Sequence, residues 1–255
     1  MDAGEQGGRM SLDAGFEWSA DSGIGRVCLA RPDDGNTVSL AMIRGLQSAL
    51  TELEADPEVR VILLEAQGED FCLGRNGKGE TREGLSAYTI HQQFLTPILD
   101  LYAAIDRCKL PVVSVVQGRA FGFGCALAAA CDITLAGESA QFALPEILHG
   151  IAPTLAMSAL RSRVPPKALA YLVHSAQAVD ARTAREFGLV SQVVPDNRLG
   201  QEAHELLTGM ANQQRIVNAT VKEFATLGPD TERRLASRFA GLLMTVNRSH
   251  TPGGA

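Results

Sequence analysis

Two short, almost wholly apolar runs constrain the fold of this chain more than any other feature. They are VRVILLEA (59–66) and the centre of KLPVVSVVQG (109–118). Such runs are typical of strands that are buried on both faces of a sheet. Helical patterns stand before, between and after them, so crossover connections, nearly always right-handed, join the strands. We therefore expect an α/β fold with layered packing.

Turn and capping signals place the other elements of this core. Residues 16–18 and 25–30 flank the turn sequence ADSG, which predicts a hairpin. Ser39 is placed to cap a helix whose apolar residues recur every three or four positions. A long helical pattern covers about 85–106, and an alanine-rich helix is expected over 121–132.

Strand signals stop at about residue 197. We therefore predict a core over 14–197 and a C-terminal helical segment over 198–255. The last helical pattern carries an apolar stripe made of Phe239, Leu242, Leu243 and Val246. Such a stripe must be buried against the core or against a neighbouring subunit, and both remain open.

Composition excludes several classes of function. The longer apolar stretches are far short of the ~20 residues that a membrane span requires, and a net charge of −6 argues against a broad nucleic-acid surface. Five cysteines without a CxxC motif fit neither a disulfide framework nor a zinc site. The first fifteen residues are polar and glycine-rich, which predicts a frayed tail without a secretory signal. We expect a cytoplasmic protein that contacts neither membrane nor nucleic acid and holds no metal.

Three segments carry most of the chemical information: DFCLGRNGKG (70–79), QGRAFGFG (117–124) and FALPEILHGIAP (142–153). In the first two, glycine allows tight turns that bring backbone N–H groups to the carboxyl ends of strands. A helix that begins near Gly124 adds its own unpaired N–H groups. Together they can hold a carbonyl oxygen that becomes an enolate. The competing interpretation is that these glycines serve only the close packing of the chain. No GxGxxG, P-loop or GxSxG motif is present in the sequence.

Taken together, these segments resemble the enoyl-CoA hydratase/isomerase family, or crotonases. The resemblance runs from about residue 16 to about residue 200, through the stretches 30–42, 59–78, 110–153 and 168–195. It implies the crotonase fold, an α/β fold of repeated ββα units, with C-terminal helices that pack between the subunits of a homotrimer or homohexamer. It also implies an acyl-CoA substrate, with coenzyme A as part of that substrate and no separate cofactor.

The resemblance also assigns an oxyanion hole. Its first N–H is that of Arg75, after Gly74, and its second is that of Phe123, between Gly122 and Gly124. Glycine is usual at the second position, so Phe123 is a departure. The N–H survives any side chain, but the benzyl group must find room outside the acyl pocket.

Of the two glutamates that a hydratase of this family uses, only one is retained. Alanine, Ala126, stands at the first position, and Glu146 stands at the second. The family's isomerases and its hydroxycinnamoyl-CoA hydratase-lyases use a single glutamate, so isomerisation or hydratase-lyase chemistry is favoured over simple hydration. His149, Glu80 and Glu83 are alternative acid–base groups. The alternative is a non-catalytic protein that binds CoA esters. Ala126 and Phe123 support this alternative, whereas the retained Glu146 argues against it.

The resemblance further suggests which side chains hold coenzyme A. Arg31 and Lys78 match the family's basic positions for the ADP part, and Lys222 is a weaker third. The stretch 149–160 replaces a glycine-rich turn of many relatives, which implies a reshaped acyl pocket.

Overall fold

The two apolar runs form the centre of a parallel sheet in the computed structural model, which describes residues 10–11, 15–228 and 231–250. The strands are β1 (Met10–Ser11), β2 (Phe16–Asp21), β3 (Ile24–Leu29), β4 (Val61–Ala66), β5 (Val112–Val116), β6 (Arg119–Phe121), β7 (Ile133–Gly137), β8 (Gln141–Ala143), β9 (Val179–Asp180) and β10 (Gln192–Val194). The α-helices are α1 (Leu40–Ala55), α2 (Ala87–Ile90), α3 (Thr96–Arg107), α4 (Phe123–Ala130), α5 (Thr154–Leu160), α6 (Pro166–Ser175), α7 (Ala181–Glu186), α8 (Leu199–Ala211), α9 (Arg215–Leu227) and α10 (Arg233–His250).

The strands form two sheets. The larger has the order β1-β2-β3-β4-β5-β7-β10; it is antiparallel from β1 to β3 and parallel from β3 to β10. The smaller has the order β6-β8-β9, with β6 and β8 parallel. Because parallel strands end at the same edge, the loops that follow them come together, and these are the glycine-bearing segments of the sequence.

Both faces of the larger sheet are covered, which explains why its central strands are apolar throughout. Alternate residues of a strand point to opposite faces. In β4, Ile62 and Leu64 belong to the main core under α1, α3 and α4. Val61 and Leu63 belong to a second core under α8. A polar residue anywhere in the first four positions of this strand would therefore face a helix layer.

The structure also confirms the predicted hairpin and the predicted helix cap near the N-terminal end. Ser22 and Gly23, both with positive φ, join β2 to β3 as a hairpin. The Ser39 side chain accepts a hydrogen bond from the Met42 N–H and caps α1. The frayed-tail prediction is wrong for Met10 and Ser11, which pair with β2. Residues 1–9 and 12–14 of that tail, and 251–255 of the helical segment, lie outside the described residues.

The helix predicted over 85–106 is interrupted. A π-helical turn, His91–Leu95, separates α2 from α3. Pro97 stands at the second residue of α3. Proline has no N–H to donate and its ring crowds the preceding turn, so regular α-helical bonding cannot run through this point.

Lys222 of α9 has a structural role, and its assignment to coenzyme A is wrong. Its side chain is buried; Nζ donates to the carbonyl oxygens of Ile105 (2.8 Å) and Leu110 (2.9 Å). Nζ also lies 2.7 Å from Asp132 Oδ2. These contacts join α9 to the end of α3 and to the loop before β7. A buried cation that is satisfied in this way has no N–H left for a phosphate.

Replacing Lys222 should therefore destabilise the protein. Lys222→Met leaves Asp132 and two carbonyl groups without their main partner, and breaking a buried ion pair typically costs about 3–5 kcal/mol. Urea denaturation measures the change, and Lys167→Met, at an exposed lysine of α6, is the matched control. Equal midpoints for the two variants would contradict the structural role.

The C-terminal helices leave an apolar surface uncovered. Phe239 stacks on Phe224 with ring centroids 6.0 Å apart. Leu227, Leu235 and Leu242 are each more than half exposed. The predicted stripe is thus only partly covered within the chain, and a neighbouring subunit remains the expected cover. The division of the chain at residue 197 also stays a prediction.

Light scattering tests the predicted assembly. We expect the full-length chain to form trimers or hexamers at micromolar concentration, and removal of residues from Thr231 onward to disrupt them. Leu242→Lys should weaken the assembly through burial of a charge. Thr208→Lys, on an exposed position of α8, should not. A monomeric parent would contradict the assembly.

Candidate active site

The glycine turn before α4 lies directly against the loop that follows β4. A Cβ atom at Gly124 would lie 2.2 Å from the Cys72 carbonyl oxygen, so only glycine fits there. The Phe121 N–H donates to the same oxygen at 2.9 Å. Cys72 and Ala120 form a parallel bridge beside it. Two of the three segments singled out in the sequence are therefore in contact.

This contact positions the two predicted oxyanion-hole residues. Phe123 is the first residue of α4, and Arg75 lies between two hydrogen bonds, from Val38 N–H to Gly74 O (3.0 Å) and from Asn76 N–H to Val38 O (2.9 Å). Within the described ranges, neither the Arg75 N–H nor the Phe123 N–H has a hydrogen-bond acceptor in the chain. Both groups are therefore available to a ligand.

The Phe123 side chain packs against helix α3. It is buried and stacks on Tyr102 of α3, with ring centroids 5.9 Å apart and planes at 29°. The departure from glycine is thus accommodated by an aromatic contact between α4 and α3. The sequence pattern gave no sign of Tyr102, which looked like one more apolar position of a long helix.

Glu146 lies beside the same turn. It belongs to the 3₁₀ helix Pro145–His149, which follows β8. Gly122 has a φ of 54°, and a Cβ there would lie 2.9 Å from Glu146 Oε1. The Gly122 N–H donates to Ala143 O at 2.9 Å, which holds the turn against the end of β8. Glycine at 122 therefore leaves room for the carboxylate.

Burial sets the electrostatic environment of Glu146. Its Oε2 atom is buried and has no hydrogen-bond partner among the described residues. Burial raises the pKa of Glu146, and a hydrogen bond from its own backbone together with the charge of His149 partly offsets the rise. His149 itself is exposed. A carboxyl whose pKa is shifted toward neutrality can both accept and return a proton.

Ala126 lies in the first turn of α4 and is fully buried. Its N–H donates to Gly122 O at 3.1 Å. Helix α5, which occupies the place of the glycine-rich turn, packs against α4 and buries Ala156. The buried methyl group of Ala126 thus stands at the position where the resemblance implies that a second carboxylate is missing.

The predicted coenzyme A residues lie on the surface around the site. Arg31 pairs with Asp34 and is partly exposed. Lys78 is exposed, and its backbone N–H donates to Asn76 Oδ1 at 3.0 Å. Their contact with a nucleotide stays a prediction.

Neither alternative glutamate is placed like Glu146. Glu83 is exposed. The Glu80 carboxylate instead forms an ion pair with the Arg75 guanidinium. The sequence analysis treated Arg75 as a backbone donor only and therefore missed this contact.

Other chemistries have little support in the described part of the chain. No group of three or more His, Cys, Asp or Glu side chains in it is placed to hold a metal ion. Its five cysteines are all free and buried, and burial raises the pKa of Cys72, next to the site, to about 12. No helix in the described ranges is both long and apolar enough to span a membrane.

The raised pKa of Glu146 predicts how Glu146→Gln changes stability. In the parent, the unfolded carboxyl loses its proton at a lower pH than the folded one, so rising pH favours unfolding between the ordinary value of 4.5 and the folded pKa. Glutamine lacks this titration. The melting temperature of Glu146→Gln relative to the parent should therefore increase as pH rises from 4 to 8. Glu58→Gln, at an exposed glutamate, should not show the same trend, and a flat difference for both would contradict the burial of Glu146.

Comparison with known proteins confirms the resemblance seen in the sequence. The family model for enoyl-CoA hydratase/isomerase matches residues 19–243. The mitochondrial enoyl-CoA hydratase of Pongo abelii is 33% identical over 201 residues, which cover 78% of this chain and 68% of that protein. An enoyl-CoA hydratase structure from Mycobacterium smegmatis has a TM-score of 0.86 at 30% identity, covering 93% of this chain and 92% of that one. Human enoyl Coenzyme A hydratase domain-containing protein 3 has a TM-score of 0.86 at 27% identity, with 92% of each chain covered. The chain therefore belongs to the enoyl-CoA hydratase/isomerase family and has its α/β crotonase fold.

Proposed function

We propose that this protein is an acyl-CoA enzyme that works through a thioester enolate and uses Glu146 as its one acid–base carboxylate. The observation that carries the proposal is the Glu146 carboxylate itself. It lies against the glycine turn, and its buried Oε2 has no hydrogen-bond partner in the part of the chain that the structure describes. A buried polar atom without a partner is uncommon in native proteins and is explained here by a role toward substrate.

In the proposed reaction, the thioester oxygen accepts hydrogen bonds from the Arg75 and Phe123 N–H groups. Glu146 removes a proton from the carbon chain, the electron pair moves toward the thioester oxygen, and an enolate forms. The N–H groups stabilise this charge most strongly as it develops. The protonated Glu146 then returns the proton to a different carbon, which shifts the double bond.

The choice among reactions rests on Ala126. Hydration by two carboxylates needs a second acid–base group, and the buried methyl of Ala126 cannot hold water or move a proton. We therefore favour isomerisation or hydratase-lyase chemistry with one glutamate. The names of the similar proteins indicate hydratases, so hydration is the competing assignment and should be assayed alongside.

The remaining parts of the proposal concern binding and assembly. Arg31 and Lys78 would contact the ADP part of coenzyme A, with Gly74, Gly122 and Gly124 shaping the backbone around the thioester. No cofactor besides the substrate's own coenzyme A is required by this chemistry. A homotrimer or homohexamer and a cytoplasmic location stay predictions, and the relatives include mitochondrial proteins.

Turnover of Glu146→Gln tests the mechanism. Glutamine keeps the size of the side chain but cannot accept the proton, so the rate on enoyl-CoA thioesters should fall by ~10²–10⁴-fold. Affinity for the same thioesters, which depends on backbone groups and nucleotide contacts, should change little. Glu83→Gln is the control for loss of an exposed carboxylate.

Thermal shift measures the binding part separately, because a ligand that binds only the native state raises the melting temperature. Parental turnover by Glu146→Gln would assign the proton transfer to another group. A parent that binds acyl-CoA but never turns it over would favour a non-catalytic CoA-ester-binding protein. No shift with millimolar thioester would contradict the acyl-CoA site.

A further inference from the structure

The side chain of Arg75 is held in a small cluster of charges at the edge of the site. Its guanidinium pairs with Glu80 Oε1, and the two side chains are 16% and 13% exposed. Glu80 Oε2 accepts a hydrogen bond from Arg82 at 3.2 Å. The Arg82 guanidinium in turn lies 5.0 Å from the centre of the Phe94 ring. The cluster therefore contains two cations, Arg75 and Arg82, and one anion, Glu80, so its net charge is positive.

One nitrogen of this guanidinium has no partner. Three buried side-chain nitrogen or oxygen atoms lack a hydrogen bond in the described part of the chain: Asp34 Oδ1, Arg75 Nη1 and Glu146 Oε2. Glu146 is the proposed acid–base group, and Arg75 contributes a proposed oxyanion N–H. Buried donors of this kind are rare in native proteins, and each calls for an explanation, of which a role toward a ligand is one.

The guanidinium belongs to the same residue whose N–H is proposed to hold the thioester oxygen, so its side chain begins at the place where the thioester would bind. Tyr102 is buried under Phe123. Burial raises its pKa well above the usual value, and among the charges that act on it Glu146 adds to the rise and Arg75 opposes it. The charge that acts on Glu146 is instead that of His149. Arg75 and Glu146 therefore both act electrostatically on Tyr102, which packs against Phe123.

We propose that the acyl group of the substrate carries a carboxylate, which binds the free Nη1 side of the Arg75 guanidinium. The substrate would then be the monothioester of a dicarboxylic acid with coenzyme A. This inference rests on the proposed function, since it takes the enolate site as the position of the thioester. Arginine suits the task because its N–H groups form charge-assisted hydrogen bonds to carboxylates and because it keeps its charge when buried.

Glu80 allows a second test of the proposal. Its carboxylate occupies one side of the guanidinium and competes electrostatically with a carboxylate on the other. Removing the Glu80 charge should therefore improve binding of an anionic acyl group, whereas removing the Arg75 charge should weaken it. A purely structural ion pair would lose stability in both variants and would not change substrate preference in opposite directions.

The test compares two thioesters that differ only in the terminal group, glutaconyl-CoA with a carboxylate and 2-pentenoyl-CoA with a methyl group. The parent should favour glutaconyl-CoA in kcat/KM. Arg75→Met, which keeps the backbone N–H, should lower the ratio of the two values by about 10- to 100-fold, the loss expected for one charge-assisted hydrogen bond. Glu80→Gln should raise the ratio, and Glu83→Gln, at an exposed position of the same segment, should leave it unchanged.

The outcomes separate this inference from the proposed function. Equal kcat/KM values for the two thioesters in the parent, or a ratio unaffected by both Arg75→Met and Glu80→Gln, would overturn the inference and leave the enolate mechanism in place. Equal weakening of both thioesters and of free coenzyme A by Arg75→Met would place the guanidinium on a phosphate instead and would also overturn it. If neither thioester is turned over, calorimetric affinities replace kcat/KM in the same comparison. If Arg75→Met does not fold, the response of the ratio to Glu80→Gln decides.

Discussion

The arrangement of the candidate site depends on one close approach between two backbones, at Gly124 and Cys72. A Cβ atom at position 124 would lie 2.2 Å from the Cys72 carbonyl oxygen, so any other residue would push α4 away from the loop that follows β4. Phe123 precedes Gly124, and Arg75 follows Cys72 by three residues. The same contact therefore sets where both free N–H groups lie. Because the donors are backbone groups, their positions depend on how the two segments pack together. They do not require a particular side chain at position 75 or 123.

The carboxylate depends on the same turn. Gly122 leaves space for Glu146, and the hydrogen bond from Gly122 to Ala143 ties that turn to the second sheet. Burial without a full set of partners is unfavourable for a carboxylate, so the rest of the fold must hold it there. Carboxylates whose pKa is raised by burial commonly cluster where a protein binds or reacts. The two sheets thus act together: the larger one leads into the loop of Arg75, and the smaller one leads into both the turn at Gly122 and the segment of Glu146.

Patterns that are local in the sequence predicted most of the fold, and contacts between distant segments account for what was missed. Ser39 caps a helix through its own neighbours, so its role could be seen directly. Pro97 marked a break that the helical period alone concealed. Lys222 looked like a solvated cation because its partners are more than 80 residues away along the chain. The stacking of Tyr102 on Phe123 was hidden because the two residues lie on different helices, α3 and α4. The glycine turns could be located from the sequence pattern, but the roles of Arg75, Phe123 and Glu146 could be assigned only through the family resemblance.

In the proposed mechanism, the backbone and the side chain of Arg75 carry out separate functions, which active-site residues usually combine. Its N–H acts on the thioester, whereas its guanidinium, whose Nη1 atom has no partner among the described residues, acts on the far end of the acyl group. Every residue except proline supplies the N–H, so the side chain can vary while the enolate keeps its support. Such a position lets a lineage exchange one class of acyl group for another by single substitutions, without passing through an inactive form. It is also the natural first position to randomise when this scaffold is engineered toward new thioesters.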